Sequence, residues 1–243
     1  LTTLDKFYIY GTLILESDAT GNASLINNSP ITYGSFCKVI TKLYLTSYKY
    51  HHISSPTTNT PANVFKVAPF APYINHNFYS YNEAGTTWNL LNEDWIEASG
   101  PMNPMTGYTY YGDKNITAII DRDSCGNFNT GNKSRTLYYT GASEDSVIYR
   151  GWNFIGNPFP ANIDWNAPGW TKDNIYNSVY FWNGNNYSYY VAGDTPQDNG
   201  IGTNNGTNII PPMQGFMVKV KENPADTNAN TTGLLTIPES ART

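Results

Sequence analysis

Charge is scarce in this sequence. Lys, Arg, Asp and Glu make up 14% of 243 residues, against roughly a quarter in an average soluble domain. The net charge is −5 and no basic run occurs, which argues against a nucleic-acid partner. No apolar run approaches the roughly 18 residues of a spanning helix, so no membrane span is expected. Cysteine is nearly absent, with only Cys37 and Cys125. They could form one disulfide in an oxidising compartment, but two cysteines build no framework, which favours two buried free thiols. CxxC spacing is missing, and with it the usual structural zinc site. The histidines are His51, His52 and His76. On a strand His51 and His52 point to opposite faces and cannot share a metal. Neither HExxH nor GxSxG occurs. No charged-then-apolar leader opens the sequence, so a mature or trimmed chain is expected.

Aromatic residues are plentiful: 15% of the chain, 20 of them Tyr. Asn, Thr, Ser and Gly must then supply the polar surface, a balance suited to extracellular β-proteins. Short alternating runs recur between turn signals. "FYIYGTLILES" (7–17) reads as two strands around Gly11, and 38–45, 115–121, 135–141 and 215–221 read as further strands. In the last, Phe216, Val218 and Val220 alternate with Met217, Lys219 and Lys221, one buried face against one wet face. The one helix-like piece is "LLNEDWIEA" (90–98). Many short strands between Gly, Pro and Asn turns predict an all-β sandwich or barrel.

The densest stretch, "GWNFIGNPFPANIDW" (151–165), has a blurred copy in "YHHISSPTTNTPANVF" (50–65). With Pro56 set on Pro158, Ile53 falls on Ile155. "FYSYN" (78–82) then matches "VYFWN" (179–183), Trp88 and Tyr187 each follow a turn, and "PMTGYTYY" matches "PMQGFMVKV". Three ordered matches at similar spacing predict a tandem repeat. The expected organisation is a short N-terminal strand segment (1–36), then two related β-sandwich or jelly-roll-like units at 37–146 and 147–243, packed together. Gly107 and Gly215 are expected to supply a bulge or a positive φ before a strand. Pro56 and Pro158 are expected to end strands. Trp152, Ile155 and Trp165 are expected in the core.

"HHISSP", "YSYN", "PMTGY", "FNTG", "GWNFIGNPFPANIDW", "YFWN" and "MQGFMVKV" together resemble a repeated β-module of secreted and surface proteins of Bacteroidetes. That module usually lies just before the C-terminal sorting domain of the type IX secretion system. The resemblance covers nearly the whole chain. It implies an extracellular or outer-surface location on a Gram-negative bacterium, other domains of the same precursor as partners, and no reaction. It also implies that "YGTLILESDATGNASLI" (10–26) closes an upstream β-solenoid or adhesin-like stalk. "DSV" (145–147) resembles the O-glycosylation site of that phylum, which marks Ser146 as a modification candidate.

Candidate chemistry is thin. Asp121 and Asp123 in "DRDSCGN" loosely echo a calcium loop, but the EF-hand spacing fails, and a hairpin loop without a cofactor is favoured. Glu93, Asp94 and Glu97, or Glu144 and Asp145, would have to serve a glycoside hydrolase; sequence neighbours of this kind are usually solvated charges. The aromatics offer more. Trp182, Tyr187 and Tyr189 surround a polar hairpin, and with Trp88 they are the candidate ligand-binding residues. The first expectation is therefore a non-enzymatic surface module of a larger adhesin-like or filament-like exported protein. The alternative is a carbohydrate-binding module whose exposed aromatics stack on sugars, with glycans or surface proteins as partners.

Overall fold

A computed structural model describes residues 2–3, 6–65, 77–83, 95–141, 150–193 and 200–243, and it begins with parallel strand pairs. Thr2–Thr3 pairs with Ile26–Asn27, Phe7–Ile9 with Ile31–Tyr33, and Thr12–Leu15 with the first half of Lys38–Leu45. The offset is 24 residues in the first two pairs and 26 in the third. A nearly constant offset between parallel strands is the pattern of stacked solenoid coils. Ile9, Leu15, Leu25, Cys37 and Val39 pack together in the cluster they enclose. Leu25 N–H donates to the Pro160 carbonyl at 2.7 Å, and Arg242 donates to the Asn27 carbonyl at 2.7 Å. The coil is thereby pinned to the rest of the chain.

Two sandwiches follow. In the first, Lys38–Leu45 pairs antiparallel with Ile116–Asp121. Its Val39, Thr41, Leu43 and Leu45 are buried at period two, because alternate side chains leave opposite faces of a strand. A four-stranded sheet faces it, in the order Trp95–Glu97, Asn77–Tyr81, Tyr108–Tyr111, Tyr50–Ile53. Ile53, Phe78, Tyr108, Tyr110, Ala118 and Ile120 fill the space between.

The second sandwich repeats the plan. Lys133–Tyr139 pairs with Thr231–Ile237. The facing sheet runs Trp152–Gly156, Gly215–Lys219, Ser178–Trp182, Tyr187–Val191, with Ile201–Thr203 added at the edge. Strand 133–139 thus stands to the second repeat as strand 38–45 stands to the first. Lys133–Tyr139, which lies within the first of the two expected units, therefore pairs in the second sandwich. Phe216, Val218 and Val220 are fully buried in its core, as expected, but Met217 on the expected wet face is buried too, because it pairs with Phe154 and Tyr180 inside the sheet.

The strand order also corrects two local expectations. Residues 95–97 are a strand, not the end of a helix; positions 90–94 lie outside the described residues. Tyr81 sits opposite Trp95 as Trp182 sits opposite Tyr187. The counterpart of Tyr187 is therefore Trp95 and not Trp88, which lies outside the described residues.

Equivalent residues of the two repeats meet each other. The rings of His52 and Phe154 lie 4.5 Å apart. A Cβ on Gly156 would collide with Ser54 Cβ, its counterpart, and come within 2.6 Å of the Thr106 carbonyl. Like-on-like contact of this kind is the mark of an approximate two-fold relation. Gly107 and Gly215 flank one ring: a Cβ on Gly107 would reach 2.7 Å from Phe154 Cγ, and one on Gly215 2.9 Å from Phe154 Cε2. Neither glycine has a positive φ. They are small to admit Phe154, not to turn the chain.

The residues with positive φ are the methionines before them, Met105 (62°) and Met213 (58°). Each follows a proline, and the next N–H closes on the carbonyl before that proline: Thr106 to Asn103 at 3.2 Å, Gln214 to Pro211 at 3.3 Å. This turn needs φ > 0 at its third residue and normally takes Gly there. Methionine bears the backbone cost while its side chain crosses over. Met105 packs in the second core and Met213 in the first.

The "GNPFPANIDW" corner is held by Asn157. Its amide donates to Ala161 and Pro211 carbonyls, both at 2.8 Å, and its oxygen accepts the Phe159 N–H at 3.0 Å. Phe159, Ile163 and Trp165 are fully buried around it. The Lys172 ammonium sits 3.9 Å from the Trp165 ring centroid and donates to the Trp165 carbonyl at 2.8 Å. Burial pushes its pKa down to about 8. Strand 152–156 ends at Gly156 before Pro158. Trp152 is not core: it is half-buried, edge-on against Tyr180 at 4.8 Å, because it lies on the face of its strand opposite Ile155's core side.

Both cysteines are free and buried. Cys37 belongs to the coil cluster, and Cys125 to the first sandwich core. The possible disulfide is therefore not formed. The expected result with a thiol reagent is no labelling of the native protein and two equivalents after denaturation. Fewer than two in denaturant would reveal a bond.

Candidate aromatic cleft

The two facing sheets touch around His52 and Phe154 and open beside that contact. The opening is a cleft of about 450 Å³. From the first repeat, Tyr50 and His52 alternate on one strand face, with Thr109, Tyr79 and Trp95 on neighbouring strands. The register explains the grouping: His52 lies opposite Thr109, which lies opposite Tyr79, and opposite residues share a face. From the second repeat come Trp182 and Tyr187, paired across their hairpin with rings 5.2 Å apart and edge-on. Trp95 closes the far side, 5.9 Å from Phe154.

His52 is the imidazole of this wall. It is 8% exposed, with the Trp182 ring 6.3 Å away and inclined by 30°, and Tyr187 at 6.0 Å. Burial pushes its pKa down to about 3, helped by neighbouring His51, so the imidazole is neutral at physiological pH. Its Nδ1 is buried without a hydrogen-bond partner, and so is Trp182 Nε1. Two unmet ring nitrogens at one cleft matter, since leaving a buried polar group unpaired costs about 1–3 kcal/mol. Burial also raises the pKa of the Tyr187 phenol. His51 points away, its Nε2 at 2.9 Å from the Thr46 carbonyl.

Of the four sequence candidates, Trp182 and Tyr187 line the cleft. Tyr189 lies one pleat further along the same face, 5.4 Å from Tyr180. Trp88, Ser146 and His76 lie outside the described residues, as do Glu93, Asp94, Glu144 and Asp145. Glu97 stands opposite Tyr79. Asp121 caps a single helical turn, accepting the Asp123 N–H at 3.1 Å, and faces Lys38 at 3.8 Å. Asp123 pairs with Arg122 at 2.7 Å. These carboxylates are occupied by a cap and ion pairs, and no group of three metal-ligating residues occurs among the described residues. His52, Tyr50, Tyr79, Thr109 and Trp95 escaped the sequence reading as ligand candidates. Period-two spacing of Tyr50 and His52 was the available signal, but only the packing of one repeat on the other makes that face a wall.

No curated protein and no solved structure matches the chain. A family model does, over residues 10–233, a span that takes in part of the coil and nearly all of both repeats. The chain belongs to that family, described as "Domain of unknown function (DUF8693)".

Proposed function

We propose that this chain is a non-catalytic glycan-binding module of a larger protein displayed on or released from the surface of a Gram-negative bacterium. The observation that carries it is the cleft, walled by tryptophan and tyrosine with two unmet ring nitrogens. Apolar, largely preformed clefts with a few convergent polar groups are the usual form of small-ligand sites. A sugar ring offers one apolar face and a rim of hydroxyls, which suits rings that are apolar in the body and polar at the tip. His52, wedged between Phe154 and Trp182, is held for packing and hydrogen bonding and not for proton transfer.

The exported, surface-displayed context rests on the resemblance of the "GNPFPANIDW" and "PM-x-G" motifs. The parallel strand pairs at the N-terminal end support a second role in the same context, as a rigid spacer at the end of a stalk. Parallel coils of this kind extend by adding further turns.

The test is a glycan array followed by calorimetry on the strongest hit. Trp182→Ala is expected to weaken binding at least about tenfold, or about 1.4 kcal/mol, as loss of a central aromatic does elsewhere. Circular dichroism should remain unchanged. An array without a hit, or a hit indifferent to Trp182, would leave the spacer role.

A further inference from the structure

Resting on the glycan-binding reading, we infer that His52 is the specificity-determining residue of the cleft, which reads one ligand hydroxyl together with the Trp182 indole N–H. The repeat itself supplies the comparison. At the same position of the second repeat stands Phe154, and the two rings touch at 4.5 Å. Phe154 is fully buried and shows what this junction takes when only packing counts. His52 occupies the matching place at a cost: its Nδ1 is buried and unpartnered. A buried polar group left unsatisfied is retained against stability, and such places concentrate at functional sites.

The chemistry selects a hydroxyl. Trp Nε1–H only donates, while a neutral imidazole nitrogen accepts in one tautomer and donates in the other. A hydroxyl can accept from the indole and donate to the imidazole at once. The two ring centroids are 6.3 Å apart and the planes are inclined by 30°. Both nitrogens are buried, and both residues line the cleft. Rotation about the Cβ–Cγ bond, a broad torsion, is the motion that would turn either nitrogen toward a ligand. Thr109 stands opposite His52 on the next strand and adds a hydroxyl to the same wall. Sites built to pair a ligand hydroxyl reject the analogue that lacks it far more strongly than apolar pockets discriminate by size.

The test compares the native protein, His52→Phe and His52→Asn against the best array glycan and its series of monodeoxy analogues. The native protein is expected to lose at least tenfold in affinity for one particular deoxy analogue. His52→Phe should bind the parent at least tenfold more weakly, lose that discrimination, and unfold at a higher temperature than the native protein. His52→Asn, which keeps a polar atom near the Nδ1 position, should retain part of it. Equal discrimination by native and Phe variants overturns this role for His52 while leaving glycan binding intact. Failure of the native protein to bind any glycan overturns both.

Discussion

Replacing Gly156 by alanine is expected to destabilise the protein by about 3 kcal/mol or more, because overpacking at a rigid contact is relieved only by moving backbone. The new Cβ would overlap Ser54 Cβ and stand 2.6 Å from the Thr106 carbonyl. Neither is the free end of a flexible chain: Ser54 is 1% exposed and its hydroxyl is tied to the Asn157 carbonyl at 2.7 Å. In a domain of this size the change corresponds to a fall of roughly 6–12 °C in Tm. Because the obstacle is the equivalent residue of the other repeat, Ser54→Gly should restore part of the loss. Alone, Ser54→Gly costs about 1 kcal/mol by losing its hydrogen bond. In the double variant a coupling of about 1 kcal/mol or more should appear. Strict additivity in urea denaturation would show that the two positions do not meet.

The second large effect is expected from acid. An unfolded histidine titrates near 6.5, whereas folded His52 titrates at about 3. Above pH 6.5 both states are neutral there and nothing depends on pH. As the pH falls below 6.5 the unfolded chain takes up a proton that the folded chain refuses, so stability declines until about pH 3, where the loss is complete. Between pH 6.5 and 4.5 this amounts to about 2–3 kcal/mol. Burial lowers His51 too, which adds in the same direction. Unfolding of the native protein and of His52→Phe should be followed at pH 7 and pH 4.5. The variant should lose markedly less stability between the two; equal losses would mean that His52 is not the group responsible.

The strand plan was legible because it is written in short-range periodicity. Phe216, Val218 and Val220 alternate in the sequence and are buried in the fold. The recurrence of the two Pro-Met turns was legible too, and both place a methionine at positive φ. The reason for the small residues was not. Gly107 and Gly215 resemble turn glycines in any one-dimensional reading, and only the shared Phe154 ring shows that space, not φ, is what they supply. Strand 95–97 was hidden by helix-compatible neighbours and is fixed by pairing with 77–81. The cleft was half visible: Trp182 and Tyr187 stood out beside a polar hairpin, whereas Tyr50, His52 and Trp95 become its wall through contacts spanning about a hundred residues.

The crossed methionines bear on how the chain is born. Synthesis delivers the first repeat complete with Met105, whose pocket is formed by strands that have not yet left the ribosome, and with a gap that only Met213 fills. Domains emerging from the ribosome generally settle in order, N-terminal half first. Here the early half must wait, incompletely packed, for its successor.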